Sequence, residues 1–417
     1  MPLTLANVFH RRAAVGFILV TAALDIVALG IIIPVLPRLI EQFVGSNAQA
    51  GVLNGLFVAL WALMQFVASP VIGSLSDRYG RRPVLLLSSL GLAADYVLMA
   101  LAPNLWWLAV GRLIAGITGS SFTTAFAYMA DITPPEQRAR VYGLVGAAFS
   151  AGFVAGPLLG GFLGEWSPRA PFWAAAALGG LTFLYGLFVL PESLAPDKRM
   201  PFSWKRANPF GALTLLRSHR ELAGLAGVNF LLHFAHHLFS AVFVLYAAYR
   251  YGWGAAQVGG LLAFVGILDM LVQGVIVGPV VRRLGDGRTM VLGLAGGAVG
   301  IACMGLAPNG WLFVAAMLPN GLWGLAMPTL QSLMTRRVSE SEQGQLQGAN
   351  NSVASIAATL SPLFFGWVYS VSVGESSWVH MPGLAFLLAA LVLAAGAFLG
   401  WHTSGRAGPA PAPLSER

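Results

Sequence analysis

A chain of 417 residues that is 57% hydrophobic and only 10% charged is not an ordinary soluble protein, whose charged share is roughly 25%. A net charge of +8 suggests nucleic acid in a soluble chain; set in loops between apolar spans, it points to the cytoplasmic side of a membrane instead. The one cysteine, Cys303, excludes an intrachain disulfide and a cysteine-built metal cluster.

The sequence predicts 12 apolar segments, near 13–37, 49–74, 83–102, 105–129, 141–164, 171–190, 221–249, 257–281, 289–307, 310–334, 345–370 and 380–402. Each is about twenty residues or more, enough to cross a hydrocarbon core of ~30 Å. The expected class is an all-α polytopic membrane protein. His10-Arg11-Arg12 resembles the start of a signal peptide, but the apolar run continues to about Leu36 and reads as a retained first helix. With the N-terminus in the cytoplasm, 20 of the 24 Lys and Arg fall on the cytoplasmic side, which places both termini there.

The longest connection divides the chain into 1–190, a six-helix bundle; 191–220, a basic cytoplasmic linker; 221–404, a second six-helix bundle; and 405–417, a Pro/Ala-rich tail expected to be disordered. Asn208 to Leu216 in the linker is expected to lie as a short helix on the membrane surface. The bundles repeat. Leu101-Ala102-Pro103-Asn104 returns as Leu306-Ala307-Pro308-Asn309, an offset of 205. The same offset relates Gly73 to Gly278, Gly80 to Gly285, Gly116 to Gly321, Gly143 to Gly348 and Pro157 to Pro362. Parallel repeats of this kind place a substrate site between the bundles near the midplane, with access alternating as one rocks against the other.

Two stretches carry specific motifs. Gly73-Ser74-Leu75-Ser76-Asp77-Arg78-Tyr79-Gly80-Arg81-Arg82-Pro83 is the densest charge cluster and is expected to form a tight polar loop between the second and third helices. Gly152, Gly156, Pro157, Gly160 and Gly161 on the fifth helix form G-x-x-x-G-P-x-x-G-G: a smooth face for a neighbouring helix, with a proline bend inside it.

Ionisable side chains inside spans are costly and so are functional candidates. Here they are Asp25, Asp95, Arg112, Asp269, His233, His236 and His237. Asp25, Asp95, Asp269 and His233 lie about twelve residues into their spans, roughly 18 Å deep. Asp25 is the proton-carrier candidate, with Arg112 its expected partner: an apolar setting disfavours a carboxylate's charge and a nearby cation restores it. Asp269 is expected to face the cavity and attract a cation or a proton. Asp95 divides evenly between coupling and packing. His233, His236 and His237, at i, i+3 and i+4, suit titration or cavity polarity, and no metal is expected. Trp61, Gln65, Phe122, Phe149, Phe243, Trp323, Gln331 and Asn350 complete the candidates for substrate contact.

The G-x-x-x-D-R-x-G-R-R-P spacing resembles the loop between helices 2 and 3 of the major facilitator superfamily, and the fifth-helix pattern resembles the antiporter motif of its drug exporters. Leu24-Asp25 through Pro37, Ala94-Asp95-Tyr96, Gly111 to Gly119, Tyr128 to Thr133, Ser167 to Phe172 and Gly344 to Gly348 are similar to the tetracycline-resistance-like, drug:proton antiporter branch. The resemblance implies two pseudo-symmetric six-helix bundles and a proton-driven exporter in the bacterial inner membrane. It also implies a cytoplasmic latch of Asp77, Arg81 and Asp131, flanked by Gly73, Arg78, Gly80 and Arg82. The chain departs from that branch in having no acid in its ninth helix and Asp269 where a histidine is expected in the eighth. A different amphipathic or cationic drug therefore fits as well as tetracycline.

The expected partners are a small-molecule substrate, protons and the lipid bilayer, without nucleic acid, for a monomer that needs no cofactor beyond the proton gradient. The alternative is a facilitator or proton symporter importing a small metabolite on the same fold. A membrane-embedded enzyme is disfavoured, since neither H-E-x-x-H nor G-x-S-x-G appears.

Overall fold

The structure is a computed structural model. It describes residues 19–404 apart from 22, 121, 134, 205–207, 210–212, 214, 216–219, 340–341 and 375–379, and the side chains of 122, 135–143, 198, 220 and 221 are likewise outside the description. His10-Arg11-Arg12, most of the expected surface helix at 208–216 and the tail 405–417 therefore lie outside the described residues.

Runs long and apolar enough to cross a membrane are Leu19–Val44 (α1), Asn47–Tyr79 (α2), Arg81–Leu101 (α3), Leu105–Ile132 (α4), Leu144–Trp166 (α5), Ala170–Val189 (α6), Leu222–Tyr251 (α7), Ala255–Leu306, Gly310–Thr335 (α10), Gln343–Val373 (α11) and Leu384–Ser404 (α12). The run Ala255–Leu306 has 52 residues, ~78 Å of helix, more than twice a hydrocarbon core. It breaks at Gly285, where φ is 75° and ψ is 165°. It thus supplies two crossings, α8 (255–284) and α9 (286–306).

Local sequence sets the ends and the irregularities. Ser46 accepts from the Gln49 N–H at the start of α2, and Asn104 and Asn309 cap α4 and α10 in the same way. Pro34 interrupts α1, and the turns around it close through Ile33 N–H to Gly30 and Val35 N–H to Ile32. In α10, Pro328 cannot donate to the Gly324 carbonyl four residues earlier, and Leu322–Leu325 tighten into a 3-10 turn. In α8, Pro279 likewise offers no donor to Val275, and Val272–Ile276 widen into a π turn.

The helices pack as two units: Met1–Gly211, His237–Ile267 and Ala358–Pro382 in the first, and Ala212–His236, Leu268–Ala357 and Gly383–Arg417 in the second. One boundary, between Gly211 and Ala212, falls within 191–220; others cut through α7, α8 and α11. Each long helix has two ends, and the far ends of these three pack with α1 to α6. Small residues make that packing possible. A side-chain carbon at Gly161 on α5 would come within 2.6 Å of the Ala255 carbonyl, and one at Gly366 on α11 within 2.5 Å of the Gly51 carbonyl. Asn54, 1% exposed on α2, donates to the Ser240 and Ala241 carbonyls at 3.1 and 2.7 Å, inside the π turn Phe239–Phe243 of α7. Tyr369 donates to Asn47 at 2.5 Å, Glu165 accepts from the Ala256 N–H at 3.1 Å, and Arg38 donates to the Trp253 carbonyl.

In the second unit α9 lies against α10 and α12. Gly297 clears the Trp323 ring, and Gly383 stands directly over the Gly305 carbonyl.

The duplication read at an offset of 205 has a backbone counterpart. Gly80 has φ 105° and ψ 161°, close to Gly285, and each is the sole residue between its two helices. Pro157 and Pro362 both lie inside long helices.

Candidate functional site

The charge cluster at 73–83 is not a loop but two helix ends joined by Gly80. With α2 running to Tyr79 and α3 starting at Arg81, Asp77 and Arg81 come within a turn of each other. Arg81 Nη1 lies 2.5 Å from Asp77 Oδ1 and donates to Ser76 Oγ at 2.7 Å; its Nε donates to Asp131 Oδ2 on α4 at 3.2 Å. Ser193 Oγ also donates to Asp131, at 3.1 Å. Both acids assigned to the latch thus converge on the guanidinium of Arg81, a residue 9% exposed. The flanking residues do other things. Arg78 sits over the Tyr79 ring at 5.1 Å, and Arg82 donates to the Leu187 carbonyl at 2.8 Å. Gly73 makes no close approach here: a side-chain carbon on it would meet nothing within 4 Å, and its carbonyl takes the Ser76 hydroxyl.

Glu192, just past α6, is a member of this cluster that sequence reasoning missed. Its carboxylate accepts from the N–H groups of Arg81 and Arg82 at 2.9 and 3.3 Å, which caps the start of α3 from a distant segment. The only signal was an acid in Pro191-Glu192-Ser193 where a span ends. Glu192→Ala is expected to cost about 0.5–2 kcal/mol, the usual worth of a lost N-cap. The check is a lowered thermal midpoint of the purified protein in detergent, with Glu192→Asp recovering part of it.

The second unit holds a counterpart. Asp286 Oδ2 lies 3.0 Å from Arg336 Nη2 and accepts from Ser332 Oγ at 2.9 Å; the Asp286 side chain is 7% exposed. Positions 286 and 336 are 81 and 131 displaced by the repeat offset of 205. The ion pair is therefore preserved with its charges exchanged: Arg81 with Asp131 in one half, Asp286 with Arg336 in the other.

At mid-depth the expected pairing changes. Arg112 Nη2 lies 3.6 Å from Asp95 Oδ2, not against Asp25, and also donates to Met99 Sδ at 2.8 Å. The antiparallel neighbours α3 and α4 set this choice, with Gly111 leaving room: a side-chain carbon there would stand 2.6 Å from Asp95 Oδ1. Asp95 is 0% exposed and Arg112 9%. The aspartate that divided between packing and coupling is thus held in a buried pair.

Asp25 is half-buried on α1, and no Lys, Arg or His of the described residues forms an ion pair with it. The buried Tyr96 lies within Coulombic reach of Asp25, Asp95 and Arg112 together. The turns of α1 around Asp25 rest on the fifth-helix motif. Side-chain carbons at Gly152 and Gly156 would lie 2.8 Å from Ile26 Cγ2 and from the Val27 carbonyl, and one at Gly160 would strike the Ile31 carbonyl. Pro157 Cδ packs on Gly30, while the Pro157 carbonyl faces Gly259 on α8. All five motif residues therefore serve two close crossings, α5 on α1 and α5 on α8.

The substrate candidates scatter. Trp61 and Gln65 on α2 flank Gly119 on α4, and both are half-buried. Phe149 packs on the cluster of Tyr128, Met129, Val145 and Leu190, and Phe243, 2% exposed, is core of the α7 π turn. Phe149 is half-buried, whereas Phe243 is buried. Gln331 and Asn350 bond each other at 3.3 Å, and Asn229 donates to the Asn350 carbonyl at 3.2 Å, which ties α7, α10 and α11 together. His237 accepts through its carbonyl from Ala241 N–H and Ser240 Oγ. His233 is half-buried one turn before His236, whose ring meets Trp323 edge-on at 5.6 Å and 73°. Asp269 is half-buried on α8 and belongs to no ion pair among the described residues. The Phe122 side chain lies outside the described residues.

Comparison with known proteins agrees with this architecture. The family model described as Major Facilitator Superfamily matches residues 18–362 and 225–416. The tetracycline resistance protein, class C, of Escherichia coli is 41% identical over 89% of this chain and 92% of its own length. The class G protein of Vibrio anguillarum is 38% identical over 91% and 96%. The solved nucleoside transporter NupG matches with a TM-score of 0.77 at 13% identity, covering 94% of this chain and 99% of that one, which is a likeness of fold. With its spans, its duplicated halves and these matches, the chain is a multi-pass membrane protein that belongs to the Major Facilitator Superfamily.

Proposed function

We propose that the chain is a proton-coupled antiporter that exports a small amphipathic drug by alternating access. It lies in the bacterial inner membrane with both termini in the cytoplasm, and its energy comes from the proton gradient without a bound cofactor. The observation that carries the reading is the division of labour among the aspartates. Arg112 is taken by Asp95, so Asp25 stands without a cation partner among the described residues, on a helix whose neighbouring turns rest on the glycine face of α5. A carboxyl so placed is neutral when it holds a proton and costly when it does not, and the difference is settled by access to water. Rocking of one bundle against the other changes that access. The bias of Lys and Arg toward one set of loops supports the orientation, and relatives named for tetracycline resistance support export of a drug.

The test uses inside-out vesicles energised to an acid interior. Tetracycline and a panel of lipophilic drugs are added while interior pH is followed by fluorescence. Proton release on addition of a drug is the expected result. Substrate movement that leaves interior pH untouched removes the proton from the mechanism.

A further inference from the structure

We propose that Glu41 and Glu165 form a proton-responsive clasp at the outer end of the first unit. Ionised, they hold the outer ends of α7, α8 and α11 against α1, α2 and α5; protonated, they let those ends part. The inference rests on the orientation and alternating access stated above. It adds a site, separate from Asp25, at which acidity outside acts on opening.

The clasp is a run of polar contacts at the end of the helices away from Gly80. Glu165, in the last turn of α5, accepts from the Ala256 N–H in the first turn of α8 at 3.1 Å. In the turn before α8, the Gly254 N–H donates to Gln257 Oε1 at 2.7 Å. A side-chain carbon at Gly254 would stand 2.5 Å from Glu165 Oε1, so only glycine lets the carboxylate come this close. Arg38 on α1 donates to the Trp253 carbonyl in the same turn and lies within Coulombic reach of both Glu165 and Glu41. Glu41 Oε1 accepts from Asn47 Nδ2 at 2.9 Å. That amide also reaches the Leu245 carbonyl of α7 at 3.4 Å, and its Oδ1 accepts from Tyr369 on α11 at 2.5 Å. One guanidinium thus stands near two carboxylates. Glu165 fastens α8 directly, and Glu41 fastens α7 and α11 through Asn47.

Protonation acts on these links in one direction. Hydrogen bonds to a neutral carboxyl are roughly half as strong as those to a carboxylate. The half-buried Arg38 meanwhile loses the two negative charges near it. The other titratable groups at this end hold their charge across the carboxylate range. On α7 they are Tyr246 and Tyr251, bonded to each other at 3.4 Å, with Tyr249 and Arg250 exposed beside them; on α11 it is Tyr369. Arg169, past α5, is engaged with the Ala100 and Ala102 carbonyls. Glu165 is exposed and Glu41 half-buried, so protons reach the clasp while it is shut. Acid outside then favours the open outer face, at which an antiporter takes up protons.

The experiment reads the distance between spin labels at Gln42 on α1 and Tyr249 on α7, both exposed, by double electron–electron resonance in nanodiscs of Cys303→Ser protein. In otherwise wild-type protein the long-distance population is expected to rise as pH falls from about 8 to about 5. The double variant Glu41→Gln with Glu165→Gln is expected to show that population raised about threefold or more at the higher pH, with little further change on acidification. Arg38→Gln is expected to raise it likewise, and Asp25→Asn to keep the wild-type response. All variants are compared as monodisperse protein, and a carboxylate that served stability alone would leave the pH profile unmoved. A double variant that responds to pH as wild type does overturns the inference, as does a response abolished by Asp25→Asn alone. A wild type with no pH response that still exports drug overturns the clasp and leaves export standing. Drug-driven proton release by no compound of the panel, with the pH response intact, overturns the export reading instead.

Discussion

Vesicles carrying Asp25→Asn are expected to lose gradient-driven export by about 100-fold or more, the usual scale for removing a positioned proton-transfer group. The amide matches the carboxyl in size, so the α1–α5 crossing, which rests on Ala23, Ile26, Val27 and Ile31 against Gly152, Gly156 and Gly160, keeps its geometry. Drug binding and drug–drug exchange should therefore survive while coupling fails. That separation is the informative part: loss of binding together with export would make Asp25 a substrate contact, and unimpaired proton release would remove it from coupling. Asp25→Glu keeps the proton-carrying chemistry with a longer arm and is expected to retain partial export.

Arg112→Leu is expected to be the most destabilising single change of charge. It leaves Asp95, at 0% exposure, without its guanidinium, and breaking one partner of a buried pair costs about 3–5 kcal/mol. The double variant Asp95→Asn with Arg112→Leu removes both charges and should recover most of the loss, since two well-packed neutral side chains replace a pair whose attraction largely offset its own desolvation. Thermal midpoints of the four proteins in detergent form the cycle. A double variant no more stable than Arg112→Leu alone would show that the guanidinium matters through Met99 and packing, not through Asp95.

Much of the fold was legible because membrane helices are long, apolar and punctuated by local signals. The sequence located α3, α4 and their partners in the other half through Asn104, Asn309 and the paired glycines, which act within a few residues of themselves. The latch was legible for the same reason: Asp77 and Arg81 are four apart, and a chain that stays helical to Tyr79 brings them together. Partner choice across helices was not legible, and the expected pairing of Arg112 with Asp25 gives way to Asp95. Asp25 and Asp95 lie at similar depth, and only the lateral packing of α3 on α4, with the clearance at Gly111, awards Arg112 to Asp95. Glu192 was missed because its targets, the N–H groups of Arg81 and Arg82, are more than a hundred residues away. The depth of Phe149 and Phe243 was not legible, because hydrophobicity alone does not tell a cavity wall from a core.

The exchanged polarity of the two helix-end pairs limits which segments can be traded between the halves. In a chain whose halves repeat, the same contact is now held with opposite polarity. Changing either residue of the second pair alone sets two like charges face to face, with the side chain at 286 only 7% exposed and the one at 336 72% exposed, so that solvent softens the clash. The halves are therefore not interchangeable parts: α9 grafted into the place of α3 would bring Asp286 against Asp131, beside Asp77 and without the Arg81 guanidinium that both acids now share.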